Sequence, residues 1–283
     1  MQLNTNFDLS DNVWWRSDYY PYTNEQIIDC IQRCTNAIKT LIDDPCMQPY
    51  FVDVSDEIRY KYIIELLRGE LNIDLNINIT DIEKIINQNY VNSKQELKIK
   101  NIYNATNYLF KESFFPKLNC ADFTIELAKK LHKIIGSNNL IPNAGSYRTK
   151  PASPANEDYE YSNPNEIESK MSFLFDNIRE MIASNTNIIE KIKIGSVFLS
   201  NFLKIHPFSN GNGRVARLLL SFILANISVV PVSIGNEKHR EIYLQCLRES
   251  QKNISEPIAL SVFILENVMR MLQDACYKLD LNY

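Results

Sequence analysis

The chain's 283 residues, 45% hydrophobic and 11% aromatic, suffice to bury a substantial core as one large or two small domains, the composition of an ordinary globular protein. A net charge of −4, with Lys and Arg scattered rather than clustered, gives no basic face to neutralise a nucleic-acid backbone and argues against nucleic acid as the main partner. Six cysteines, Cys30, Cys34, Cys46, Cys120, Cys246 and Cys276, form no CxxC pair and no regular framework, which argues against a zinc site and a disulfide scaffold.

The N-terminal stretch MQLNTNFDLSDNVWWRSDYY carries acids where a secretory signal has its basic region and lacks an apolar stretch, so a cytoplasmic location is expected. Its aromatics, Trp14, Trp15, Tyr19 and Tyr20, either cap a helical core or form a partner surface. Asn24 to Ile42 then reads at helical period, with Ile27, Ile28, Ile31, Cys34 and Ile38 on one face and Cys30 and Cys34 as reduced thiols one turn apart. Asn and Ile dominate Leu71 to Asn89, a bias that base composition explains as easily as function. Ile141 to Asn165 holds four prolines and has no helical pattern; its flanks GSYRTK and YEYS suggest a short irregular hairpin, the one β element on a helical body. Ile189 to Ile205 is an amphipathic helix, ended by Pro207, which disfavours helical backbone at the residue before it. The uncharged run Leu218 to Ile234 falls short of a bilayer span of about 20 residues, and reads as a buried helix and a turn rather than a membrane segment. The expected fold is all-α with a small β-hairpin flap, organised as an N-terminal helical region over 1–110 and a core over 111–283.

Between the last two of these helices stands HPFSNGNGRVAR, His206 to Arg217. Its Asn210-Gly211-Asn212-Gly213 segment lets the backbone take left-handed torsions and turn successive N–H groups inward, as an anion nest does. The next helix starts there, adding the unpaired N–H groups and dipole of its first turn. Arg214 and Arg217 follow, three residues apart, and each guanidinium can clamp phosphate oxygens in a bidentate way. His206 has a side chain whose ordinary pKa of about 6.5 suits removing a proton from a hydroxyl. Singly, these residues would read as a core histidine, a turn and a solvated helix face. Together they suggest nucleotidyl or phosphoryl transfer from a polyphosphate to a hydroxyl.

At these residues the sequence resembles the Fic family, whose signature HPFx(D/E)GNGRxxR it matches at every fixed position but one. LHKIIGSNNLIPNAGSYRT (Leu131 to Thr149) looks like the family's helix leading into its flap, and REIYLQCLRES (Arg240 to Ser250) like its R-x-x-Y-x-x-x-L helix near the adenine pocket, with Tyr243 and Leu247 in the adenine vicinity. The resemblance covers about Ala121 to Tyr277, roughly half the chain strongly. It implies an all-helical bundle with a hairpin flap and transfer of AMP from ATP to a Ser, Thr or Tyr hydroxyl of a protein. His206 would be the base; Gly211, Asn212 and Gly213 the anion hole; Arg214 and Arg217 the phosphate clamps. Tyr147, Arg148 and Tyr159, in the flap, would hold the target, and Mg²⁺ would bridge the phosphates. A homodimer is compatible with the family.

Asn210 stands where the family carries a metal-holding acid; its amide brings no charge, so weaker Mg²⁺ binding or a repurposed member is expected. An inhibitory glutamate is expected at Glu83 in ITDIEK, paired with Arg217, although Ile79 and Lys84 depart from the family's inhibitory motif and Glu83 could equally face solvent on a helix packed against the core. TNIIEK at Thr186 fits that motif loosely but belongs to the helix leading into HPFSNGNGRVAR. Other nucleotide donors, removal of AMP, or a nucleotide-binding module without catalysis are the alternatives.

Overall fold

The computed structural model describes residues 3–16, 22–68, 77–110, 118–154, 160–185, 187–234, 239–252 and 257–283. Among the described residues the chain is ten α-helices and two short 3-10 turns, the all-α bundle expected. They are α1 Asn24–Asp43, α2 Gln48–Arg68, α3 Ile79–Asn87, α4 Lys94–Leu109, α5 Ile125–Ile135, α6 Ile167–Ser184, α7 Ile188–Ile205, α8 Asn212–Ser228, α9 Arg240–Lys252 and α10 Ile258–Lys278. Tyr19, Tyr20, Tyr159 and Thr186 lie outside the described residues. No described helix is long and apolar enough to cross a membrane.

The helices begin where polar side chains can take up the free N–H groups of a first turn. Thr23 and Gln26 form a reciprocal cap at α1, Asn78 and Asp81 do the same at α3, and Ser93 and Thr124 cap α4 and α5. α7 is apolar on nearly all sides and is the axis of the bundle, packed by α6, α8 and α10. Gly195 permits its approach to α8: a Cβ there would stand 2.8 Å from Leu220 Cδ1. Around α7 the rings of Phe123, Phe175, Phe198 and Phe202 stack or meet edge to face at 4.9 to 6.5 Å. Each buried ring contributes about 1.5–3 kcal/mol.

The N-terminal helices pack directly on this core, α1 along α10 and α2 against α8. α2 docks through polar contacts at its C-terminal end: Tyr62 Oη and Ser221 Oγ share a hydrogen bond of 3.0 Å, and the Arg270 guanidinium grips both Glu65 oxygens at 3.0 and 2.9 Å. Of the N-terminal aromatics, Trp15 caps the core, donating to Glu266 Oε2 at 2.9 Å and meeting Phe263 edge-on. Trp14 stays half exposed against it.

The expected hairpin has no strand among its described residues. One cross-link joins its arms, from Tyr161 N–H to Ala152 O at 3.0 Å. Pro151 and Pro154 have no N–H to donate, so one arm cannot build a regular ladder.

Candidate functional site

The loop between α7 and α8 gathers the residues that the motif singled out. α7 closes with His206 in the left-handed region, φ 51°, its N–H still donating to Phe202 O. That conformation costs a non-glycine residue about 1–2 kcal/mol and must be held from outside. The holder is Arg148: its Nε donates to His206 O at 2.7 Å, and its Nη atoms reach the carbonyls of Lys150, Ser162 and Ile205. Its own backbone N–H donates to Pro207 O at 2.8 Å. Arg148 was expected to hold a target. In this structure it is buried, and its guanidinium binds the flap to the turn that carries His206. Tyr147 likewise turns inward, its hydroxyl buried, its ring against Phe208 and under Lys129 Nζ.

Asn212 closes the loop from the other side, its Oδ1 accepting from Phe208 N at 2.9 Å and its Nδ2 donating to Phe208 O at 2.7 Å. The Asn212 side chain thus shapes the loop. Gly211, at φ 77°, caps α8 without a side-chain bond, and a Cβ there would press on Ile141 and Ile135 at 3.0 and 3.2 Å. The N–H groups of Asn212 and Gly213 find no acceptor among the described residues, as the first turn of a helix requires, and remain open to an anion.

Arg214 and Arg217 are not a solvated face: they are 3% and 2% exposed. Arg214 Nη2 lies 3.5 Å from Asn210 Oδ1. Arg217 Nη2 donates to the main-chain carbonyl of Leu66, at the end of α2, at 2.8 Å. The expected Glu83–Arg217 pair is therefore absent from this structure, and the reason lies in the helix: α3 turns Ile82 into the core, which leaves Glu83 on the outer face, with no ion pair among the described residues. Tyr243 is buried beside Arg217 with its ring 6.1 Å from that of Phe263, and burial pushes its phenol up against the partial offset of that cation. Leu247 is half-buried on the same helix.

Asn210 is exposed. Its carbonyl is engaged by His132 and its amide oxygen lies 2.6 Å from Gly211 N. Among the described residues no group of three or more His, Cys, Asp or Glu could hold a metal. Asn210 itself brings one neutral amide oxygen beside a guanidinium, a weak donor set for a divalent cation.

The sequence reading missed His132. It lies on the apolar stripe of α5 with Leu127, Ala128, Leu131 and Ile135, wholly buried, and that placement was the available signal. Gly145 N–H donates to its Nδ1 at 2.8 Å, so Nε2 carries the proton and donates to Asn210 O at 3.0 Å; the ring stacks on Phe208 at 3.9 Å. One neutral imidazole joins the start of the flap to the loop between α7 and α8. Burial, with Arg214 nearby, pushes its pKa down to about 4, the Asn210 carbonyl opposing. The unfolded chain therefore takes up this proton first, so stability is complete above the ordinary value of about 6.5 and declines as pH falls toward 4. His132's share across that window is on the order of 3 kcal/mol. Urea unfolding between pH 7 and 4.5 is expected to show a steeper loss for the wild type than for His132→Gln, and equal slopes would refute this.

His206 is also neutral in this environment. Burial lowers its pKa to about 4, with the Leu203 carbonyl opposing and the Arg148 charge adding to the shift. Its buried Nδ1 completes no hydrogen bond among the described residues. The ring of Tyr161 lies on it at 3.8 Å, tilted by 8°. The arrangement joins a neutral imidazole, an open helix N-terminus and two buried guanidinium groups within one loop and one helical turn.

The Fic/DOC family model matches residues 122–224, the stretch from just before α5 to near the end of α8. Among curated proteins, the chain is 40% identical over 68 residues to a probable protein adenylyltransferase of Aquifex aeolicus, covering 24% of this chain and 20% of the other. It is 27% identical over 120 residues to the protein adenylyltransferase Fic of Nematostella vectensis, covering 42% and 27%. The matched region is thus only about a fifth to a quarter of the length of these relatives. Among solved structures, a Fic family protein of Desulfovibrio desulfuricans superposes with TM-score 0.69 at 16% identity, covering 93% of this chain and 77% of that one. A Fic-domain signalling protein of Bacteroides thetaiotaomicron gives TM-score 0.68 at 18% identity, covering 90% and 99%. The fold is that of these proteins.

Proposed function

We propose that this chain, which belongs to the Fic/DOC family through its residues 122–224, transfers AMP from ATP to a Ser, Thr or Tyr hydroxyl of a protein target. The observation that carries the reading is the neutral His206 at the lip of a loop whose following helix opens its first-turn N–H groups toward an anion. The adenylyltransferase names of the relatives support the same chemistry.

The triphosphate lies against the first turn of α8, with Arg214 and Arg217 balancing its charge. Magnesium carried by ATP would neutralise phosphate charge, and Asn210 would offer it a single uncharged oxygen. His206 takes the proton of the target hydroxyl, whose oxygen bonds to the α-phosphorus. The bond from that phosphorus to the bridging oxygen breaks, and pyrophosphate leaves with the electron pair. Nearly all of the catalysis is positioning and charge neutralisation. To reach phosphate, Arg217 exchanges the Leu66 carbonyl for a phosphate oxygen, so any restraint on the resting enzyme acts through the end of α2 rather than through Glu83.

Parallel reactions with ATP labelled at the α or at the γ phosphate test this. Label from α alone is the expected result, with Glu83→Gly leaving the rate near that of wild type. Label from γ would mean kinase chemistry. Bound ATP with no transfer would make the chain a nucleotide-binding module, and a manyfold rise in Glu83→Gly would restore the inhibitory glutamate.

A further inference from the structure

The flap was expected to hold a target, yet its return arm is built against the base. The rings of Tyr161 and His206 are parallel, 8° apart in tilt, with centroids at 3.8 Å. This is close stacking over the whole imidazole face, not an edge contact. Such a contact is meaningful only if the two residues are held in register, and one group does so. The Arg148 guanidinium donates through Nε to the carbonyl of His206 and through Nη2 to the carbonyl of Ser162, the residue after Tyr161. Tyr161 N–H is fixed in turn to Ala152 O, and Ser162 N–H to Lys204 O on α7. The flap arm and the end of α7 are thus tied to each other on both sides of the stacked pair.

Besides this stack, the His206 ring has the nearby Leu203 carbonyl, but its buried Nδ1 completes no hydrogen bond of good geometry among the described residues, so no such bond locks the ring at that atom. A base must face its proton within about 3 Å and along a narrow direction to contribute fully. We propose that Tyr161, by stacking on His206, is the positioning residue that fixes the plane of the catalytic imidazole, aiming Nε2 at the hydroxyl to be modified. The proposal rests on the reading of His206 as the base.

The function of the tyrosine is in its ring, not its hydroxyl, and this separates a positioning role from a merely structural one. In transfer of α-label from ATP to the chain's own hydroxyls, Tyr161→Leu is expected to lose up to about 100-fold in maximal rate with KM for ATP unchanged, whereas Tyr161→Phe keeps most of it. A readout independent of activity is proton NMR of the imidazole signals. The chain has three histidines, His132, His206 and His239, and the His206 signal is the one missing from His206→Ala. Tyr161→Leu should move that signal downfield through loss of the ring current, while Tyr161→Phe leaves it in place. The His132 signal, set by Phe208, should not move in either variant and reports an intact loop.

A Tyr161→Leu protein with the wild-type maximal rate, or with an unmoved His206 signal, overturns the proposal. A wild-type chain that transfers no label, with the His206 signal still dependent on Tyr161, sinks the reading of His206 as a base, and the positioning role falls with it.

Discussion

His206→Ala is expected to reduce transfer of α-phosphate label by about 10²- to 10⁴-fold, the usual contribution of a positioned base. ATP binding should persist, because the first-turn N–H groups of α8 and the two buried arginines do not involve the imidazole. The fold should also persist. Among the described residues the buried Nδ1 of His206 completes no hydrogen bond, and it carries a desolvation cost that alanine removes, against the lost stack on Tyr161. Activity assays, nucleotide titration and thermal unfolding on the same preparation distinguish these terms. A variant that still transfers label at the wild-type rate would remove His206 from the chemistry. A variant that loses ATP binding as well would mean that the histidine shapes the loop instead. The pH profile carries a second signature: because the folded pKa of His206 is pushed down to about 4, the free enzyme should keep its base through mildly acidic solution and lose activity only as pH falls toward that value.

Arg148→Ala should cost on the order of 3 kcal/mol of stability, through the buried carbonyls it leaves unpaired. Four carbonyls lose their donor at once: Lys150, Ser162, Ile205 and His206. Two of these sit at the end of α7, where the left-handed backbone of His206 needs external support. Activity should therefore fall further than stability alone explains, since base and flap lose their common anchor. Arg148→Lys is not expected to rescue, because an ammonium group cannot span carbonyls on three sides as a planar guanidinium does. Denaturant unfolding and label transfer at a temperature where both proteins remain folded are the measurements. Unchanged stability in Arg148→Ala would show that the flap is held by other contacts.

The legible part of the site was the part whose chemistry is local. A histidine before proline, a Gly-Asn-Gly turn and two arginines a helical turn apart are contiguous, and their backbone consequences follow from neighbouring residues: the end of α7 at Ile205, the left-handed Gly211 and the uncapped start of α8. The helical period likewise located α1, with Ile27, Ile31, Cys34 and Ile38 fully buried. What periodicity does not report is which side chain fills a gap contributed by another element. Arg217 is one turn from Arg214 on any helical wheel, which suggests a shared solvated face. Only the end of α2, arriving from far away in sequence, buries it and supplies the Leu66 carbonyl.

The same division separates Glu83, Arg148 and His132. Glu83 matched an inhibitory spacing along the chain, but α3 turns toward the core by its isoleucines, and the carboxylate follows to the outside. Arg148 resembled a residue of a target-binding flap, yet its five-donor fork is satisfied by main chain from both arms of that flap and from α7. His132 looked like one more member of an apolar stripe until Asn210 and Gly145 were brought to its two nitrogens.

The sequence by itself determined the helices, the turn and the chemical inventory of the site, because torsional preference, capping and amphipathic period act between residues a few positions apart. Tertiary structure alone decided which of those groups are buried, which carbonyl each guanidinium takes and which ring lies on His206. A buried cation or an imidazole must find its partner wherever the packed chain supplies one, and that partner is set by contacts between elements distant in sequence.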